Sequence, residues 1–64
     1  MKRLTVGLRG PAGYLRADSP PLDDQAAATQ FAEVADRLDD QGPVRLPWLA
    51  VSGRDVLLVR LTQL

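Results

Sequence analysis

The chain has no cysteine and no histidine, and one residue each of Trp, Tyr and Phe. Without Cys there is no disulfide framework and no thiolate nucleophile, and without either residue the common zinc sites are gone. General acid-base chemistry would fall to carboxylates. A nucleophile would have to come from Ser19, Ser52, Thr5, Thr29 or Tyr14, none of which has an evident base beside it in the sequence. Gly7, Gly10 and Gly13 imitate a spaced glycine motif, but no helix with a Lys-Ser/Thr pair follows them, so no phosphate loop is implied. The carboxylates show no calcium-loop spacing. The residues therefore assign no catalytic, cofactor-binding or metal-binding position, and the expectation is a protein that is not an enzyme. Long apolar runs are also missing. Nothing approaches the roughly 18 residues of a membrane span, and Lys2-Arg3 leads into alternating residues instead of the apolar stretch of a signal peptide. The expected location is cytoplasmic, with no membrane partner.

At 64 residues the chain reads as a single domain, 1–64. Domains of this size bury only about 60% of the surface their unfolded chains expose. Small scaffolds usually add disulfides, a metal or oligomerisation. With the first two unsupported by composition, self-association remains, and a homodimer is the expected homo-oligomer.

The formal net charge is zero, so no global field holds the protein on nucleic acid or an anionic membrane. The charges are nevertheless sorted. Asp23, Asp24, Glu33, Asp36, Asp39 and Asp40 lie within 23–41, whereas Lys2, Arg3, Arg9, Arg16, Arg45, Arg54 and Arg60 lie outside it. An electrically two-sided molecule follows. Lys2 is the only lysine, and Asn and Ile are absent, a composition typical of GC-rich coding sequence.

The segment 23–41 is the most legible element. Ala27, Phe31, Val34, Ala35 and Leu38 fall at i, i+4, i+7, i+8 and i+11, one stripe of an amphipathic helix, with Gln25, Thr29, Glu33, Asp36 and Asp40 on the far side. Its start is set by Ser19 with Pro20 in the first turn, or by Asp23 as a later cap. Its end is predicted at Gly42, in the left-handed conformation, with Pro43 preventing continuation.

Around the helix the period is two. Residues 3–8 form a strand with Leu4, Val6 and Leu8 on one side and Arg3, Thr5 and Gly7 on the other. Residues 9–13 form a turn, and 14–17 return as a second strand, unless 10–21 is one long loop. Residues 44–51 and 56–61 read as a hairpin around Ser52–Asp55, with Val51 opposite Val56, Ala50 opposite Leu57, Trp48 opposite Val59 and Leu46 opposite Leu61, or the same set shifted by one residue on each strand. Pro47 has no N–H, which suits a sheet edge or a bulge. The expected fold is α+β: a small ββαββ domain with a four-stranded, mostly antiparallel sheet and one helix packed on one face. The expected core is Leu4, Val6, Leu8, Leu15, Phe31, Val34, Leu38, Leu46, Trp48, Leu57, Val59 and Leu61.

The face turned away from the helix is the candidate functional surface. By parity it carries Leu49, Val51, Val56 and Leu58, a patch at the hairpin tip that, with Pro47, forms a candidate protein interface. The competing reading is that this hairpin's faces are reversed or the patch is covered. Arg9, Tyr14, Arg16, Arg45 and Arg60 would lie on the same face, where they could contact an acidic partner or, through phosphates and base stacking, nucleic acid. With no basic run and an acidic helix opposing attraction, solvated arginines are the simpler reading and nucleic acid the less favoured partner. Asp36, Asp39 and Asp40 crowd the helix end where the dipole disfavours them, with only Glu33 to Arg37 compensating, and read as a solvated face. Trp48 reads as a core residue packed on Phe31, in preference to an interface anchor. No segment resembles a known family. The favoured function is a non-enzymatic interaction or regulatory protein that self-associates and binds a larger protein. The alternative is a small nucleic-acid-binding domain, and a head-to-tail assembly of acidic helix on basic sheet is a third arrangement.

Overall fold

The alternation of Leu4, Val6 and Leu8 builds the central strand of an antiparallel sheet. The computed structural model describes residues 1–64 and contains β1 (Lys2–Gly10), β2 (Gly13–Asp18), α1 (Asp24–Asp40), β3 (Pro43–Leu46), β4 (Leu49–Ser52) and β5 (Val56–Gln63), with a 3-10 turn at Gly53–Asp55. The class is α+β, with the helix packed against the sheet. Three strands form the main sheet in the order β2-β1-β5, and β3-β4 is a separate two-stranded sheet, all antiparallel. The chain thus has five strands in two sheets, one strand more than the sequence pattern suggested.

The difference lies in the second half. Pro47 and Trp48 form a two-residue turn that closes β3 on β4, placing Leu46 opposite Leu49 and Val44 opposite Val51. Proline presets the backbone for the second position of such a turn. Ser52–Asp55 is consequently no hairpin loop, and β5 pairs with β1, setting Val59 opposite Val6 and Leu61 opposite Leu4. The register breaks between Gly7 and Leu8, so that Val56 meets Leu8 and Leu57 is left as the extra, bulged residue. That extra residue returns Val56 to the core face.

Leu4, Val6, Val34, Val44 and Val56 form the buried centre, with Leu8, Leu22, Phe31, Leu46, Trp48, Leu49, Val51, Val59 and Leu61 packed around it. Leu15, Leu38 and Leu57, expected in the core, are exposed. Leu57 owes this to the bulge. Trp48 is half-buried and donates its Nε1–H to Gln30 Oε1 at 2.8 Å, tying the β3-β4 turn to the helix.

The helix begins at the later of the two caps. Asp23 Oδ1 accepts from the Ala26 N–H at 2.7 Å. At the other end Gln41, not Gly42, takes the left-handed conformation (φ 58). Gly42 serves differently: its N–H donates to Asp40 Oδ1 at 2.8 Å, and its carbonyl accepts from Gly53 N–H at 2.7 Å. A Cβ on Gly53 would strike the Arg37 carbonyl oxygen and lie 2.7 Å from that of Gly42. Glycine at 53 lets the 3-10 turn lie directly on the helix end, and that contact directs the chain from β4 into β5.

Candidate functional site

One face of the β2-β1-β5 sheet carries the helix; the other carries no element of the chain. Residues that alternate away from Leu4 and Val6 define this open face: Arg3, Thr5, Gly7 and Arg9 on β1, Tyr14, Arg16 and Asp18 on β2, and Leu58, Arg60 and Thr62 on β5. The registers make it a grid. Arg9 is opposite Tyr14, Gly7 lies between Arg16 and Leu58, Thr5 lies between Asp18 and Arg60, and Arg3 is opposite Thr62.

The centre of the grid is held together by small residues on β1. A Cβ on Gly7 would come within 2.7 Å of the Tyr14 hydroxyl and 2.9 Å of Leu58 Cγ. Tyr14 and Leu58 therefore close over Gly7 from the two flanking strands and form an apolar ridge across β1. Beside it Thr5, only 4% exposed, donates its hydroxyl to Asp18 Oδ1 at 2.7 Å, and the other Asp18 oxygen lies 3.4 Å from Arg16 Nε. Arg3 Nε donates to the Ser19 carbonyl at 3.0 Å. Arg9 and Arg60 form no ion pair or side-chain hydrogen bond within the chain. Four arginines thus share a face with one carboxylate.

Ser19 supports this arrangement from the strand edge. Where the chain leaves β2, its buried Oγ accepts from the Leu4 N–H at 2.9 Å while donating to the Pro20 carbonyl at 2.7 Å, and its own N–H donates to Leu4 C=O at 2.8 Å. The side chain takes the acceptor role that the Ser19 carbonyl, which accepts from Arg3, would play in a regular ladder; Pro20 and Pro21, with no N–H to donate, end the strand there. Lys2 and Leu22 then exchange backbone bonds at 2.8 and 2.7 Å, so β1 is bonded on both sides along its length.

The opposite, helical side is acidic. Arg37 makes an i,i+3 pair with Asp40 at 2.8 Å and a longer i,i+4 contact of 3.5 Å with Glu33. The hydrogen bond from Asp40, followed by the Asp40 and Glu33 charges, raises the Arg37 pKa further above its ordinary value. The Gly42 backbone N–H, followed by Arg37, holds the Asp40 carboxyl below the usual carboxylate range. The crowding of acids at this helix end is thus partly relieved by Arg37 and by the chain's own backbone. No group of three or more carboxylates is arranged to hold a metal ion.

Of the residues singled out in the sequence, Arg9, Tyr14, Arg16, Arg60 and Leu58 come together on the open face. Arg45 does not: it lies on β3 opposite Ala50, beside a shallow concavity formed with Gln41, Pro43 and Val51. Leu49 and Val51 pack against the core from the β3-β4 sheet, Val56 is buried, and Pro47 is exposed in the turn. The four-residue apolar patch is therefore not assembled, because the turn at Pro47-Trp48 and the bulge at Leu57 turn three of its members inward. Sequence reasoning missed Asp18 as part of the face. Continuing the alternation of Tyr14 and Arg16 by one step would have found it. Ser19 as a ladder acceptor had no such signal, since it depends on where the two prolines fall against β1.

No helix of the chain is long and apolar enough to cross a membrane. Comparison with protein families, with curated proteins and with solved structures finds no match to this chain.

Proposed function

We propose that this is a non-enzymatic interaction protein, self-associating and working in a reducing, cytoplasmic setting, that regulates a larger protein by docking its open sheet face on an acidic surface of that partner. One observation carries the reading: a whole sheet face without a covering layer presents Tyr14 and Leu58 within a frame of Arg3, Arg9, Arg16 and Arg60, against the single carboxylate of Asp18. Interfaces combine an apolar centre with a polar rim, and Tyr and Arg are enriched in them. Complementary charge would speed encounter and set orientation. The lack of Cys and His fits a binding role better than a catalytic one.

Nucleic acid is the second reading, favoured by the same gathering of Arg9, Tyr14, Arg16 and Arg60. Tyr14 is the only aromatic on the face, its ring tip lies down on Gly7, and the acidic helix cancels the net charge. An acidic protein surface is therefore the better match. The test is titration of a synthetic peptide alternating glutamate and leucine, in parallel with single-stranded DNA and RNA homopolymers, at low salt. The expected result is peptide binding with NMR shifts confined to residues of the open face, weakened about tenfold or more by Arg16→Glu with Arg60→Glu. Gly7→Ala, which displaces Tyr14 and Leu58 without touching a charge, should weaken it as well. Binding of the homopolymers alone, falling steeply with salt, would establish the second reading instead.

A further inference from the structure

The main sheet has two outer strands, and they are not equivalent. β2 is six residues long, carries the Arg16–Asp18 pair and runs out into Ser19-Pro20-Pro21. β3 and β4 have four residues each, with Pro43 at the start of β3. Short strands, charges and prolines are the devices that protect sheet edges from pairing with another chain. β5 has only Arg60 and, at its start, the bulge at Leu57: it is eight residues long, free of proline and glycine, regular from Leu58 onward, and pairs on one side only.

The hydrogen bonds decide which of its groups face outward. Leu64 N–H donates to Met1 C=O, and Lys2 is bonded on its other side to Leu22. In an antiparallel ladder the bonded pairs alternate, so Leu58, Arg60 and Thr62 bond inward to Gly7, Thr5 and Arg3. The N–H and C=O groups of Val59, Leu61 and Gln63 then point away from the sheet, in line and without a partner in the chain. From this edge we infer that a second copy of the chain pairs with β5 antiparallel, joining two three-stranded sheets into one of six strands, with Leu61 opposite Leu61 of the second copy. This rests on the self-association proposed above and assigns it a surface and a register.

Three features select that register. Pairing must bring outward-facing residues together; axes at Thr62 or Gln63 leave Val59 without a partner, so the choice lies among two-fold axes at Val59, Arg60 and Leu61. An axis at Arg60 sets two guanidinium groups against each other at the closest type of cross-strand pair, and like charges directly opposite are destabilising. An axis at Val59 requires the bulged Leu57 to act as a regular partner. An axis at Leu61 uses only the regular part of the strand, places Arg60 opposite Thr62, and sets the exposed Leu58 opposite the exposed Leu64 of the other copy. The half-buried Leu61 side chains then cover one another at the margin of the core. The axis is perpendicular to the sheet, so both helices share one side and both arginine faces form one continuous surface on the other.

Hydrogen exchange on the unmodified protein tests the edge. The amides of Val59, Leu61 and Gln63 should exchange freely in dilute solution and become protected as concentration rises, in step with a doubling of mass by light scattering. Because the chain has no Cys, a mixture of Arg60→Cys and Thr62→Cys variants tests the register: oxidation should link one variant to the other, and neither variant to itself. Self-linking of Arg60→Cys would overturn the register, and with it the proposal. A stable dimer whose three amides still exchange freely would overturn the β5 edge while leaving self-association standing. A monomer at all concentrations would overturn both, whereas loss of peptide binding with intact cross-linking would overturn only the docking of an acidic partner.

Discussion

The two faces of β1 are made from the same nine residues and obey different rules. On the covered face Leu4 and Val6 are fully buried, held by volume and the exclusion of water, and tolerance for change there is low. On the open face Thr5 and Gly7 are also buried, but beneath neighbouring side chains, and what surrounds them is charge and hydrogen bonding. The fold requires one face to match the helix. The other is required only to keep the strands paired, and Arg9 and Arg60 on it make no ion pair or side-chain hydrogen bond within the chain. In a chain this short, one layer of helix suffices for a core and the other face of the sheet is left without a covering layer.

Truncation should separate the faces most strongly. Leu4→Ala is expected to cost about 2–5 kcal/mol, a large part of the stability of a small domain. Arg60→Ala is expected to stay within about 0.5 kcal/mol of the parent, and urea denaturation of the two variants makes the comparison. An Arg60→Ala loss as large as that of Leu4→Ala would show that the open face is structural.

A smaller effect is expected at the junction of the faces. Ser19→Ala removes the acceptor of the Leu4 N–H and leaves a buried donor unsatisfied, at a cost of about 1–3 kcal/mol. Amide exchange should report the change locally, with Leu4 losing protection ahead of Val6. Uniform loss along β1 would mean that Ser19 is not the stand-in acceptor.

The smallest effect concerns the layer that covers the sheet. Asp40 is held below its ordinary pKa by the Gly42 N–H and then by Arg37. A carboxylate depressed in the folded state stabilises it at pH values above the unfolded pKa and loses that contribution as pH falls through the folded value. The stability gap between the parent and Asp40→Asn should therefore be constant from neutral pH down to about 5 and close below about 3.9. Urea midpoints at several pH values would check this. A gap that persists at pH 2 would remove the charge from the explanation.

The first half of the chain was legible because its contacts are local. The alternation of Leu4, Val6 and Leu8, the turn at 9–13 and the cap at Asp23, one of the two starts that the residues allowed, each depend on neighbours within a few residues. The second half was not, because residues 44–61 hold two apolar strands that satisfy more than one pairing. The pattern is coherent whether Val51 meets Val56 or Val44; a proline in a tight turn and a single bulged leucine decide between them, and both act through partners elsewhere in the fold. Arg9, Tyr14, Arg16 and Arg60 came together as parity placed them, whereas Arg45, placed with them by the same reasoning, lies on the separate β3-β4 sheet. The apolar patch did not come together, because it depended on the hairpin.

The bond between Leu64 and Met1 carries a consequence for the order in which the molecule is made. Among the strands of this fold β1 is synthesised before the others and β5 after them. Their pairing closes a loop spanning nearly the whole chain, at an entropic cost that grows slowly with length but must be met before any of those contacts form. Until β5 arrives, β1 can pair with β2 alone and leaves its other edge bare. Of the five strands the central one is therefore made first and completed last, and growing chains stalled before residue 56 should be the form most prone to aggregate.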